Sequence, residues 1–342
     1  MKFDFIIGNP PYQEEQGGDN KTFAPPIYHK FMDESYKLSD NVELIHPARF
    51  LFNAGSTPKD WNAKMLNDPH YKIIYYEKDG SKIFPGTDIK GGVAISYRNS
   101  KKDYGAIISF APFDELTGIS EKAGADNEEK SLSNIIYTQN RFDLDELYKD
   151  YPKFKKIIGS DGRDKRFRNN IFEKVNIFTD KQIEESDIRV LGVIKNNRIW
   201  KYIIRKYVDT SHENLFSYKV IVPRANGTGS FGEVLSMPIV LKPGEGYTQT
   251  FIGIGSFKTE DEANNLLKYI KSRFCRTMLG LLKIDQHNEK DTWRRIPIQD
   301  FSFSSDIDWT KSITEIDQQL YKKYGLDNKE IEFIESHVKE ME

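Results

Sequence analysis

FDFIIGNPPYQ, Phe3 to Gln13, is an apolar run of β-forming residues that stops at Gly8 and gives way to Asn9-Pro10-Pro11-Tyr12. The run predicts a strand, and the four residues after it predict a rigid exit from that strand. Each proline fixes its own φ and restrains the residue before it, so Asn9 and Pro10 have little backbone freedom. Neither proline carries an N–H, which leaves the Pro10 carbonyl as an acceptor beside the Asn9 side-chain oxygen. Two fixed acceptors suit an exocyclic amino group with its two hydrogens. Tyr12 adds a flat face on which a heterocyclic base can stack.

Outward from this stretch the first hundred residues alternate helical and strand patterns. Ile27, Phe31, Tyr36 and Leu38 have helical spacing; NVELIHP, ending at Pro47, YKIIYYEK and GGVAISYRN read as strands. This order predicts an α/β layer with a mostly parallel sheet. A polar, Gly-containing text from Lys101 to Ser131 suggests a boundary, so we expect domains at 1–105 and 106–305 and a helical tail at 306–342. The second segment reads as mixed helices from Asn140 to Val208, then strands joined by Gly-rich turns. A helix from about Glu260 to Lys283 follows, with Thr259 and Glu262 in capping-box register and a stripe through Ala263, Leu266, Leu267, Ile270, Phe274, Met278 and Leu281. A last acidic helix begins after Leu326.

The 342 residues suggest about two domains. The net charge of −2 announces no polyanion partner, but residues 151–224 hold 17 Lys and Arg against 9 Asp and Glu. A solvated surface and a nucleic-acid groove are both compatible with that excess. A single cysteine, Cys275, excludes a disulfide framework and reads as a packed helix residue. His29, His46, His70, His212, His287 and His337 show no ligand spacing, so no metal is expected. No run is apolar enough for a membrane span, and MKFDFII does not read as a signal peptide, so a soluble cytoplasmic protein is expected.

IIGNPPY at a strand end resembles the catalytic motif of the DNA adenine-N6 methyltransferases. KIFPGTDIKGGVAISY, Lys82 to Tyr97, resembles a late methylase segment of the large type II restriction-modification methylases, and much of TQTFIGIGSFKTEDEANNLLKYIKSRFCRTMLGLLK, WRRIPIQDF and LYKKYGLDNKEIEFIE is similar to that family's recognition half. The resemblance implies a partial Rossmann-like methyltransferase sheet followed by a mixed α/β target-recognition domain. It implies methyl transfer from S-adenosylmethionine to an adenine flipped out of double-stranded DNA. Asn9 and the Pro10 carbonyl would accept from the amino group, Pro11 would hold the turn, Tyr12 would stack on the base, and Phe84 would contact it from the other side. An alternative is an inactive DNA-binding specificity fragment, or part of a combined restriction endonuclease-methylase.

In the family a cofactor motif precedes the Asn-Pro-Pro-Tyr strand, so the resemblance further implies that the cofactor-binding half is absent here and lies on a second chain or was lost with a shortened reading frame. GTGSFG, Gly227 to Gly232, spells a Gly-x-Gly-x-x-Gly pattern, but Pro238 and Pro243 interrupt any helix after it. A loop against DNA is the expectation there, with Arg224 and Asn226 as its polar groups. GSDGRDKRFRNN sets Arg163, Lys165, Arg166 and Arg168 around Phe167 as a phosphate clamp with an aromatic, and KNNRIWK and TWRR add Lys195, Arg198, Arg294 and Arg295.

Overall fold

In the computed structural model, residues 2–14, 24–107, 110, 111, 113–159 and 164–342 are described, and they fall into two compact units, 1–114 and 115–342. The first unit holds β1 (Ile6–Gly8), α1 (Tyr28–Leu38), β2 (Asn41–Pro47), α2 (Lys59–Leu66), β3 (Tyr71–Glu77) and β4 (Val93–Asn99). These strands form one sheet in the order β1-β2-β4-β3. Val42, Leu44 and His46 alternate inward along β2, where Tyr28 and Met32 of α1 and Trp61 and Met65 of α2 are buried with them. The opposite face of β2 is half-exposed.

The expected mostly parallel sheet is corrected. Among the described residues of this sheet only β1 and β2 pair in parallel, whereas β4 runs antiparallel to both β2 and β3. β1, β2 and β3 therefore share one direction and β4 is inserted against it. A parallel crossover needs about a dozen residues and usually a helix. The stretch from Glu77 to Val93 holds only a short 3-10 turn at Gly80–Lys82, so the chain folds back beside β3.

The second unit contains α3 (Asp114–Lys122), β5 (Ile136–Tyr137), α4 (Leu144–Asp150), α5 (Phe154–Ile158), α6 (Ile171–Lys174), β6 (Ile188–Ile194), β7 (Asn197–Ile203), β8 (Tyr218–Pro223), β9 (Ile239–Leu241), β10 (Glu245–Tyr247), β11 (Phe251–Phe257), α7 (Glu260–Lys271), α8 (Arg273–Gly280), α9 (Ile313–Lys323) and α10 (Asn328–His337). Its strands form two sheets, β10-β6-β7 and β5-β11-β8-β9, and α7 packs on β8, β9 and β11. Residues 306–342 belong to this unit, with α9 and α10 packed on α8.

Two helix expectations change. The reading of 140–208 as mixed helices misses the β6–β7 hairpin, whose two-residue turn places Lys195 and Asn196 at φ 48° and 64°. Left-handed conformation at both central residues is what a tight hairpin needs to match strand twist. The helix expected from Glu260 to Lys283 is two helices, broken where Ser272 adopts ψ 149° and its hydroxyl accepts from the Cys275 N–H. The capping box at Thr259 and Glu262 is present, and Asp327 with Glu330 builds another at α10. Cys275 is fully buried, which pushes its thiol well above the usual range and leaves it inert.

Candidate active site and nucleic-acid contacts

β1 is a sheet-edge strand, and its C-terminal end delivers Asn9 to Tyr12 out of the sheet. Backbone bonds fix that exit: the Ile27 N–H donates to the Tyr12 carbonyl (3.1 Å) and the Glu14 N–H to the Pro25 carbonyl (3.0 Å), tying the motif to the start of α1. Asn9 is exposed, and no hydrogen bond among the described residues occupies its side chain or the Pro10 carbonyl. Both acceptors are open to an incoming donor.

Tyr12 is half-buried, and its hydroxyl is enclosed without a hydrogen-bond partner among the described residues. Burial pushes the phenol up to about 12, so it is neutral at physiological pH. The Phe84 ring meets it edge-on, with centroids 6.2 Å apart and planes at 75°. Phe84 lies on the β3–β4 connection, where its N–H donates to the Gly80 carbonyl (2.8 Å) and the Thr87 hydroxyl donates to the Phe84 carbonyl (2.7 Å). The return into β4 depends on Gly92, at φ 82°, because a Cβ there would lie 2.4 Å from the Glu77 carbonyl oxygen.

A cavity of about 470 Å³ opens beside Tyr12 and is walled also by Tyr28, Pro47, Arg49, Thr57, Thr87 and Lys90. Its size is in the range of small-molecule and nucleotide pockets. Asn9 and Phe84 are not on its wall. Against Tyr28 and Pro47 of that wall, His46 is fully buried: Nε2 lies 2.9 Å from the Ser96 hydroxyl and 3.2 Å from that of Tyr71, Nδ1 lies 3.1 Å from the Pro47 carbonyl, and the ring stacks on Tyr28. An Nδ1–H tautomer satisfies all of these, with Nε2 accepting. Apart from Tyr12, sequence reasoning gave none of these residues a place in the site, because they share no motif.

Burial lowers His46 to about 4. The unfolded chain then takes up its proton near pH 6.5 and the folded chain only near 4, so stability falls with decreasing pH across that window and is whole above it. The expected loss from pH 6.5 to 4 is about 3 kcal/mol for the first unit. Denaturant midpoints against pH should show this loss, and a His46→Phe variant should lack it.

The basic residues divide. Lys165 is exposed and Arg166 and Arg168 are half-exposed, while Arg163 lies outside the described residues. Phe167 does not join them: it is fully buried edge-on to Phe142 at 4.7 Å, so a stacking role is corrected to a core one. Lys195 is exposed at the hairpin turn, and Arg198 donates to the Ser236 carbonyl. Arg294 is half-exposed, whereas Arg295 pairs with Asp126. Arg224 is paired to both carboxylate oxygens of Glu289. Asn226 is 2% exposed and its amide is consumed by Val234 and Ser236, so a base contact through it is withdrawn. Within the basic stretch Lys219 is buried, with its ammonium on the carbonyls of Leu215, Ser217 and Lys242.

GTGSFG does not fit a cofactor. The Glu233 carboxylate accepts from the N–H groups of Thr228 (2.9 Å) and Gly229 (3.1 Å), so the loop's own side chain fills the anion position. A Cβ at Gly229 would lie 2.4 Å from the Asp285 backbone; that glycine serves packing against the chain itself. Among the described residues no three His, Cys, Asp or Glu side chains converge as metal ligands, and no helix is long and apolar enough to cross a membrane.

The Asn-Pro-Pro-Tyr exit and its aromatic neighbour lie in the stretch that comparison with known proteins matches. Residues 1–84 match the Eco57I restriction-modification methylase family. A protein of Mycoplasma pneumoniae described as an uncharacterized adenine-specific methylase is 34% identical over 95 residues, which is 27% of this chain and 22% of that protein. The chain thus spans about a fifth of that relative. The crystal structure of the type IIG restriction endonuclease BpuSI aligns over 90% of this chain and 48% of its own, at 11% identity and a TM-score of 0.35. The matched family stretch holds both the Asn-Pro-Pro-Tyr exit and Phe84.

Proposed function

We propose that this chain carries the target-base part of a site-specific DNA adenine-N6 methyltransferase of a restriction-modification system. The observation that carries the reading is the Asn9-Pro10-Pro11-Tyr12 exit from β1, with both acceptors open and Tyr12 edge-on to Phe84. An adenine drawn out of the duplex stacks on Tyr12, while Asn9 and the Pro10 carbonyl accept its two N6 hydrogens. Those bonds pull the nitrogen lone pair out of conjugation with the ring, and fixed acceptors do so without reorganising at the moment of reaction. Phe84 bounds the stacking face. S-adenosylmethionine, the methyl donor the family implies, finds no fit in the Gly227–Gly232 loop.

Residues 115–342 act in this reading as the target-recognition part, with Lys165, Arg166, Arg168, Lys195, Arg198 and Arg294 toward the phosphates of double-stranded DNA. Duplex affinity should fall steeply with salt. Lys165→Glu with Arg166→Glu should weaken binding to all sequences alike and flatten the log–log salt slope by about 2. Titrations of labelled duplexes over a salt series measure this, and an unchanged slope would exclude the clamp.

A further inference from the structure

We propose that Met237 is a wedge that enters the stack of duplex DNA between two base pairs; the proposal rests on the reading of the chain as a DNA methylase. Met237 is 70% exposed and sits at φ 42°, in the left-handed region. An unbranched but bulky residue is rare there, and such a conformation persists only where its surroundings over-determine it.

Here they do. On one side the Ser236 N–H donates to the Asn226 side-chain oxygen and the Ser236 carbonyl accepts from the Arg198 guanidinium at 3.1 Å. On the other side comes Pro238, which is buried. Asn226 is itself locked, its N–H donating to the Gln286 carbonyl and its own carbonyl accepting from Lys283. Leu235 is buried at 3% while Val234 and Met237 face solvent. The loop thus spends backbone strain to hold an apolar side chain in water.

The neighbours say what the side chain meets. Arg198, bonded to the residue before Met237, follows the hairpin turn whose tip is the exposed Lys195. A projecting apolar tip with a guanidinium bonded to its neighbouring residue matches a duplex, where a phosphate takes the charge and a base step takes the wedge; methionine is among the side chains that proteins insert this way.

The test uses the full chain and a mixed-sequence duplex. Hydrogen peroxide should convert Met237 to the sulfoxide readily, while Met32, Met65 and Met278, each at most 1% exposed, stay unreacted as references. Saturating DNA should slow Met237 oxidation several-fold. Met237→Gly relieves the left-handed strain, so thermal stability should hold or rise while duplex affinity falls about tenfold with the loss of the inserted apolar side chain. DNA binding with Met237 oxidised at its free rate, or a Met237→Gly chain that binds as tightly as the parent, would overturn the wedge and leave the methylase reading standing. Protection that follows protein concentration without DNA would overturn it in favour of self-association. No binding to any duplex would overturn both.

Discussion

Asn9→Ala should lower methyl transfer into adenine by about 10²–10³, the class of loss seen when one preorganised hydrogen-bonding group is removed from a transition state. The measurement is tritium incorporation into duplex DNA, with the chain supplied with a cofactor-binding methylase half. The Asn9 side chain is exposed and without a partner among the described residues, so its removal leaves no buried group unsatisfied and stability should be unchanged. That separates chemistry from folding. Duplex affinity should also survive, because the phosphate contacts lie on other residues. Tyr12 behaves differently. Tyr12→Phe should keep most activity, since the ring face is what stacks and the hydroxyl has no partner among the described residues. Tyr12→Ala should lose the base and, with it, the edge contact that positions Phe84. Near-parental transfer by Asn9→Ala would reduce Asn-Pro-Pro-Tyr to a rigid turn, and the methylase reading would fall with it.

The strands of the first unit were legible because each is a β-forming run with a sharp stop, such as Pro47 after Ile45 and His46. Their directions were not. Whether β4 joins in parallel or returns beside β3 depends on how many residues of the Glu77–Val93 stretch form a helix, and the Gly-rich text there states only that it turns. The β6–β7 hairpin carried a signal in Lys195-Asn196-Asn197, but interleaved charges such as Arg198 and Lys201 hid the alternation. The break at Ser272 left no mark on the apolar stripe, which runs across both helices.

Site legibility followed the same division. Asn9 to Tyr12 are contiguous and their chemistry is local, so the letters suffice. Arg224, Asn226 and Phe167 have the right chemistry for DNA yet are already engaged, because their partners Glu289, Ser236 and Phe142 lie outside the short motifs in which they were read. Polarity gives a side chain's capacity, whereas long-range pairing decides whether that capacity is already used.

Lys283→Met should destabilise the second unit by about 3–5 kcal/mol, the cost of leaving one member of a buried ion pair behind. Lys283 is 4% exposed at its side chain and Glu233 15%. The ammonium donates to Glu233 and to the carbonyls of Asn226 (2.8 Å) and Asp285 (3.1 Å), so its removal orphans a carboxylate and two acceptors together. Burial alone would raise Glu233, but Lys283 and the Thr228 and Gly229 N–H groups outweigh it and hold the carboxyl below its ordinary value. A depressed carboxylate stabilises the fold above its unfolded pKa and stops doing so as pH falls through its folded one, so the parent should lose this contribution on acidification and Glu233→Gln should not. Glu233→Gln keeps only one of the two backbone amide bonds, since Thr228 and Gly229 donate to different carboxylate oxygens, and it strands the Lys283 charge. The double variant should therefore be more stable than the sum of the single losses predicts. Chemical denaturation of the four chains measures each arm. The same series examines the Gly227–Gly232 loop: with Glu233→Ala the Thr228 and Gly229 N–H groups lose their carboxylate, and S-adenosylmethionine should still fail to bind in calorimetry, because Gly229 and Gly232 are spent on close packing against the Asp285 and His337 backbone. Saturable binding by that variant would make the loop a cofactor cradle with Glu233 as its internal blocker.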